Sequence, residues 1–146
     1  MCEKRQKIVA IKKGSMNIGL DMYAFSVKKE NVIDTFHIKP DNKYLLHYWR
    51  KHPNLHGWFE NLYYSKGGKV EPFDCQYLNL SLADLNLLEK DIKNFNLPET
   101  TGFFFGKDEE HSTNELNEDD LDDLEFIEKA RKAIENGEYV YYYSWW

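Results

Sequence analysis

The stretch that decides the fold of this chain is residues 44–63, YLLHYWRKHPNLHGWFENLY. Its first six residues alternate between two faces, which predicts a β-strand with Tyr44, Leu46 and Tyr48 on one side. Pro53 then stands where a helix can begin, because the missing N–H of proline costs nothing at the first helical position. The apolar residues after it recur at helical spacing and form one stripe: Leu55, Trp58, Phe59, Leu62 and Tyr63. A strand therefore leads directly into an amphipathic helix.

Similar patterns extend in both directions from this unit. Alternating, β-branched or aromatic runs predict further strands over 18–27, 32–39, 75–80, 103–105 and 138–146. A second helix is predicted after Ser81, which starts a capping box with Asp84, and its buried face would be Leu82, Leu85, Leu88, Ile92 and Phe95. A third is predicted over 119–136 with an inward face of Leu121, Leu124, Ile127, Ala130 and Ile134. The last strand is so apolar that its edges must be covered.

These elements predict an α+β fold, with a single mixed β-sheet of about five strands and three helices packed mainly on one face. Residues 1–17 are predicted to be a basic N-terminal extension, and residues 18–146 a single α+β domain. A length of 146 residues fits one core.

Composition limits the classes of function. The net charge of −6 makes nucleic acid an unlikely partner, and eleven acidic residues fall within 107–128. No apolar run reaches the length of a membrane span, and no secretory signal is recognisable, so we expect no membrane partner and a cytoplasmic location. The two cysteines, Cys2 and Cys75, form no zinc or disulfide pattern and are predicted to be reduced thiols.

The 44–63 stretch also contains the densest group of residues that can hold a ligand. Arg50 and Lys51 follow Trp49 at the end of the strand, next to a helix N-terminus. Helix N-termini attract anions, arginine binds phosphate or carboxylate through two N–H groups, and aromatic rings stack on bases. The cluster predicts a small anionic, nucleotide-like ligand. The alternative is that Trp49 and Trp58 belong to the core and that Arg50 pairs with the acidic helix.

Other reactive groups form weaker patterns. His52 and His56 have the i, i+4 spacing of a metal chelate, but no third ligand is evident, and we predict no metal and no cofactor. Asp74 and Cys75 allow a nucleophile with His56 as its base. Because no complete catalytic set emerges, we predict no catalytic residues and leave enzymatic activity open.

Several blocks of the chain together resemble a family of small uncharacterised proteins of bacteriophages and prophages. The blocks are Gly-Leu-Asp-Met-Tyr at 19–23, Tyr-Trp-Arg-Lys at 48–51, Leu-His-Gly-Trp-Phe at 55–59, Asp-Cys at 74–75, Leu97 to Gly106, and a tyrosine- and tryptophan-rich end at 142–145. The resemblance covers nearly everything from residue 18 onward. Some members carry a phosphoglycerate kinase label, which does not suit a chain of this length without a nucleotide-binding glycine loop. The chain departs from the family pattern at 52–55 and at 107–111.

The residues and the resemblance together select the candidate ligand-binding residues Trp49, Arg50, Lys51, His56, Asp74, Gly102, Phe103, Phe105 and Tyr143. The first hypothesis is a phage-type accessory protein that binds its ligand without turnover, for example to sequester a defence signal in the host cytoplasm. One alternative is a module that inhibits a host protein through its acidic face. Another is a small hydrolase or transferase that uses His56 with Asp74 or Cys75. A homodimer is also left open.

Overall fold

The computed structural model describes residues 19–102, 106–107 and 115–146, with the main chain alone at residues 102, 106 and 107. The strands are β1 (Asp21–Val27), β2 (Val32–Asp34), β3 (His37–Ile38), β4 (Tyr44–Arg50), β5 (Tyr77–Leu80), β6 (Thr101–Gly102), β7 (Gly106–Lys107) and β8 (Tyr139–Trp145). The helices are α1 (Pro53–Ser65), α2 (Leu82–Lys93) and α3 (Glu118–Glu135), and one 3₁₀ turn spans Lys29–Asn31. The α+β class predicted from the sequence is confirmed.

The main sheet has four strands in the order β4–β1–β8–β5. Every described strand pair is antiparallel, so the mixed pairing that we predicted is not found. The reason is that β8, the last strand, enters the centre of the sheet between β1 and β5 and runs opposite to both. This position covers both edges of the apolar last strand, as predicted.

The predicted strand 32–39 is instead a small hairpin made of β2 and β3. Asp34 breaks it, because its Oδ1 accepts hydrogen bonds from the Phe36 N–H at 2.9 Å and lies 2.7 Å from His37 Nδ1. An aspartate that bonds the main chain two residues ahead stabilises a turn rather than a continuing strand. The hairpin packs on the face of the main sheet that the helices do not cover, where Tyr141 O–H donates to the Asp34 carbonyl at 2.5 Å.

All three helices contribute to one core on the other face of the sheet, which we call the inner face. Met22, Ala24 and Tyr142 project into it from the central strands. Phe59 of α1 stacks on Tyr142 with ring centroids 4.0 Å apart. The helices therefore lie mainly on one face of the sheet, as predicted.

Two residues of the predicted helical stripes are exposed instead of buried. Leu82 is 47% exposed, since it directly follows the Ser81 cap at the rim of the core, and Leu121 is 55% exposed. On α3, Ile127 and Ala130 are buried as predicted, and Leu124 and Ile134 pack at the edge of the core. The buried face also contains Asp120, Asp123, Phe126 and Ala133, which were not predicted. The two aspartates are polar residues whose burial hydropathy alone does not predict. Among the described residues, no helix has the length and apolar character needed to cross a membrane.

Candidate functional site

The end of β4 divides neighbouring side chains between the two faces of the sheet. Trp49 points inward and is 4% exposed, with its indole N–H donating to Asp123 Oδ1 at 2.9 Å. Tyr48 and Arg50 point to the opposite, outer face, because strand residues alternate. The Trp49 ring thus packs in the core against Phe126, and its position does not offer a stacking surface.

On the outer face, a buried carboxylate fixes the arginine. Asp21 Oδ1 accepts hydrogen bonds from Tyr48 O–H at 2.6 Å and from Arg50 Nη1 at 3.0 Å. Burial, followed by the hydrogen bond to Asp21, raises the pKa of Tyr48 to about 12, so the phenol stays protonated and keeps donating. Arg50 therefore pairs with Asp21 of β1, and not with the acidic helix.

Gly19 provides the space for the two cations. A Cβ atom at this position would lie 2.8 Å from Lys51 Cε and 2.9 Å from Arg50 Nη2. Residues 19–23 and 48–51, which are separate blocks of the resemblance, are thus in direct contact. No spacing in the sequence connects them, because the contact depends on the pairing of β1 with β4.

An open cavity of about 200 Å³ lies beside these cations, where β4 leads into α1. It is lined by Tyr48, Trp49, Arg50, Lys51, His52, Asp119, Asp122 and Asp123. Lys51 is exposed and makes no ion pair with any described residue. Its main chain is left-handed, with φ of 55°, a conformation that non-glycine residues rarely adopt.

The N-terminus of α1 opens onto the same cavity. The whole of its first turn is described and contains no acidic residue, and Pro53 occupies the first position as predicted. His52, at the N-cap, directs its Nε2 to Asp123 Oδ2 at 2.7 Å instead of capping the main chain. The partial positive charge of the helix N-terminus therefore adds to that of Arg50 and Lys51.

The opposite wall of the cavity is acidic, but two of its three carboxylates are already bonded. Asp123 is fully buried, and burial raises its pKa despite the hydrogen bonds from His52 and Trp49. Asp122 accepts from His47 Nε2 at 2.9 Å, while the Lys129 ammonium lies 3.2 Å from His47 Nδ1. An ammonium can only donate, so Nδ1 is the acceptor in this contact and Nε2 is the ring nitrogen that faces the Asp122 carboxylate. Asp119 has no such partner among the described residues.

A row of four tyrosines crosses the outer face next to Arg50. Tyr48, Tyr23, Tyr143 and Tyr77 lie directly opposite one another on β4, β1, β8 and β5. Their successive ring centroids are 5.3, 6.4 and 4.7 Å apart. Tyr143 was predicted as a site residue, whereas Tyr23 and Tyr77 were missed. Alternation within each strand could have predicted which face of the sheet these tyrosines occupy. The register between the strands, which places them opposite one another, could not be predicted from the sequence.

His56 does not join this group. It is fully buried on the inner side, with Nδ1 2.7 Å from Tyr142 Oη and its ring stacked on Phe73. Burial lowers the pKa of His56 to about 3, so the imidazole is neutral at ordinary pH. These are the contacts of a core side chain.

Asp74 and Cys75 lie near the C-terminus of the chain. Asp74 Oδ1 accepts the main-chain N–H of Trp146 at 3.0 Å. Cys75 is in a disulfide bond, so our prediction of a reduced thiol was wrong at this position. Residue spacing could not reveal this, because disulfide formation depends on approach in three dimensions. A disulfide sulfur lacks the thiolate that a nucleophile requires.

Gly102 belongs to β6 and pairs with Gly106 of β7, while Phe103 and Phe105 lie outside the described residues. The segment before β6 packs tightly on α1. A Cβ at Gly57 would lie 1.9 Å from Thr100 Oγ1, and Asn54 Oδ1 accepts the Thr100 N–H at 2.9 Å. Asn54 therefore holds a neighbouring segment in place.

Within residues 19–102 and 115–146, no three His, Cys, Asp or Glu side chains converge as metal ligands. Of the predicted site residues, the structure places Trp49, Arg50 and Lys51 around one cavity at the end of β4. Tyr143 lies on the outer face two strands away, on β8. The structure puts His56 and Asp74 elsewhere. Comparison with protein-family models, with curated proteins and with solved structures gave no match to this chain.

Proposed function

We propose that this protein binds a small anionic, nucleotide-like ligand without turnover, and that Arg50 and Lys51 hold its phosphate. The observation that carries this proposal is the fixed arginine. Asp21 engages one N–H group of Arg50 and leaves other donors of the guanidinium for an anion. Arginine presented in this way binds phosphate through two hydrogen bonds, and Lys51 adds a second positive charge beside it.

The acidic wall of the cavity narrows the ligand class. A purely anionic ligand would be repelled by Asp119 and Asp122, which line the side opposite the cations. A nucleotide complements both sides of the cavity, because its phosphate can face Arg50 while an amino group of its base donates a hydrogen bond to a carboxylate. The Tyr48 ring, 45% exposed, supplies a surface on which such a base can stack.

The size of the cavity indicates that the ligand remains partly exposed. Enclosed ligand pockets usually measure roughly 300–1,000 Å³, whereas this cavity measures about 200 Å³. The described lining contains no serine, threonine or cysteine that could act as a nucleophile. Binding without reaction suits such a site. If the chain is phage-encoded, as the resemblance implies, sequestration of a host signal is a use that needs affinity alone.

A thermal-shift screen with mono- and dinucleotides, followed by calorimetry on any hit, tests the proposal. A ligand at 100 times its Kd should stabilise the protein by about 2.7 kcal/mol. The variant Lys51→Glu reverses a charge at the site without altering the left-handed backbone requirement. Its matched control is Lys90→Glu, on the exposed side of α2.

We expect Lys51→Glu to weaken binding at least tenfold and Lys90→Glu to leave it unchanged. The nucleotide should be recovered intact after the protein is denatured. A screen without any shift, or equal losses in the two variants, would contradict the proposal.

A further inference from the structure

The two edges of the main sheet differ in how they are covered. At the β5 edge, the Asn79 N–H donates to the Thr35 carbonyl at 2.8 Å, and the Lys66 ammonium donates to the Asn79 carbonyl at 2.8 Å. At the opposite edge, β4 pairs with β1 on one side, and on its other side Tyr44–Arg50 makes no main-chain hydrogen bond to a described residue. Such an open edge is the structure to which another strand can be added.

Apolar side chains are exposed along the β4 edge. Tyr44, Leu45 and Tyr48 of the strand are exposed, and so is Leu121 of α3. An open strand edge with exposed apolar side chains is typical of a surface that associates with another chain.

α3 lies along the same edge and carries opposite charges in its two halves. Asp122 and Lys129 both contact the His47 ring, at 2.9 and 3.2 Å, so this flank of the helix lies over the middle of β4. Glu118 and Lys132 continue the same flank at helical spacing. Both are exposed and make no ion pair with a described residue. The flank is therefore acidic in its first half and basic towards its end.

We propose that a second copy of this chain binds along this edge, with the two β4 strands antiparallel about a two-fold axis close to Tyr48. In this arrangement the two copies of α3 also run antiparallel, on the same face of one continuous sheet. The acidic part of each helix flank then faces the basic part of the other, which is the self-complementarity that a two-fold interface requires. The proposal goes beyond the proposed function and does not depend on ligand binding.

The dimensions of the edge predict a reversible dimer. The 7 residues of β4 extend about 23 Å and the 18 residues of α3 about 27 Å, so strand and helix match in length. Leu46 bulges from the pairing with β1, which limits a regular ladder to His47–Arg50. Glu125, exposed in the middle of the helix flank, would face its own copy. A short ladder and one contact between like charges predict a weak interface of small area.

The cavity beside Arg50 and Lys51 lies at one end of this edge, because the end of β4 and the start of α3 line it. In the antiparallel arrangement, the start of the partner's β4 lies beside that end. The second copy therefore borders a cavity that is open in the single chain.

Sedimentation velocity on the full chain without nucleotide, over a wide range of protein concentration, tests the proposal. The first variant is Leu45→Lys, since a lysine on an open edge opposes the addition of a strand. Its matched control is Ile33→Lys, at a similarly exposed apolar residue of the β2–β3 hairpin. The second test exchanges charges, with Lys132→Glu alone and combined with Glu118→Lys, and with Lys90→Glu on α2 as the control. Thermal melts establish that each variant is folded.

We expect the wild-type protein to change from monomer to dimer as its concentration rises. Leu45→Lys should remain monomeric, while Ile33→Lys and Lys90→Glu should dimerise like the wild type. Lys132→Glu should weaken the dimer about tenfold, because the two-fold axis doubles the effect of each charge pair. Adding Glu118→Lys should restore the dimer, since opposite charges then face each other again. Glu125→Gln should strengthen the dimer, because it removes the like charges at the axis.

Three results would overturn the proposal. A folded chain that stays monomeric at every concentration would end it and leave the proposed function intact, because no nucleotide is present. A dimer that Leu45→Lys leaves unchanged would mean that association uses another surface. A combined variant as weak as Lys132→Glu alone would show that the two copies of α3 do not face each other in antiparallel.

Discussion

Tyr142 and Tyr143 are neighbours on β8 and have the same side chain, yet they lie on opposite faces of the sheet. Tyr142 is 0% exposed and packs beneath α1 against Phe59, with its hydroxyl 2.7 Å from His56 Nδ1. Tyr143 is half-buried on the outer face between Tyr23 and Tyr77. The comparison shows that composition cannot assign a role to a tyrosine in this chain, because strand alternation decides it.

The same division explains the polar groups of the two faces. On the inner side, Trp49, His52 and His56 bond to buried partners, so their donors and acceptors stabilise the fold. On the outer side, Asp21 holds Arg50 at the surface, where the arginine side chain remains 36% exposed. Trp49 and Arg50 are adjacent in sequence, but their side chains lie on opposite faces of the sheet.

Alanine substitution at Tyr142 and Tyr143 tests directly whether the two tyrosines contribute differently to the stability of the fold. Tyr142→Ala should cost about 3–5 kcal/mol of unfolding free energy, because it removes a large ring from a close-packed core. Tyr143→Ala should cost about 2 kcal/mol less than Tyr142→Ala, since the Tyr143 side chain is only partly buried whereas that of Tyr142 is fully enclosed. Urea denaturation of the two variants at neutral pH measures both effects. Equal costs would mean that the outer row is as essential to folding as the core.

The burial of His56 on the inner face should make the unfolding free energy decrease in acid. An unfolded histidine takes up a proton below about pH 6.5, whereas His56 in the folded protein stays neutral down to about pH 3. The unfolded state therefore binds more protons in this window. The stability that His56 contributes is complete above about pH 6.5 and is lost as the pH falls, by about 1.4 kcal/mol per pH unit.

The variant His56→Gln isolates this contribution. Between pH 7 and pH 4.5 the wild-type protein should lose about 2.7 kcal/mol more unfolding free energy than His56→Gln, which has no imidazole to protonate. Urea titrations of both proteins at the two pH values give the difference. Parallel pH profiles would show that His56 is accessible to protons in the folded state.

β4 and α1 show most clearly which features of the fold could be predicted from the sequence. Local patterns were sufficient for the strand, for Pro53 at the start of the helix, and for the Ser81 capping box, because neighbouring residues determine them. The same patterns selected Arg50 and Lys51 as candidate ligand contacts, and the structure places both beside one cavity. The contacts of Asp21 with Arg50, and of Asp123 with Trp49 and His52, join residues far apart in sequence. Hydrophobic periodicity carries no information about such partners, and so the two buried aspartates of α3 and the register of the tyrosine row were missed.

The smallest expected change in unfolding free energy is at Lys51, where a substitution also tests whether Arg50 and Lys51 bind the ligand together. Its left-handed backbone, with φ of 55°, suits glycine better than lysine. Lys51→Gly should therefore raise the unfolding free energy by about 1 kcal/mol, while the loss of the ammonium weakens nucleotide binding. Lys90→Gly, the same substitution inside α2, should instead lower it by about 1 kcal/mol because glycine destabilises a helix. Paired urea and calorimetry measurements on both variants test this opposition. If Lys51→Gly is more stable and still binds nucleotide as tightly as the wild type, the left-handed backbone of Lys51 serves no binding role. Arg50 would then be the only one of the two cations that contacts the ligand.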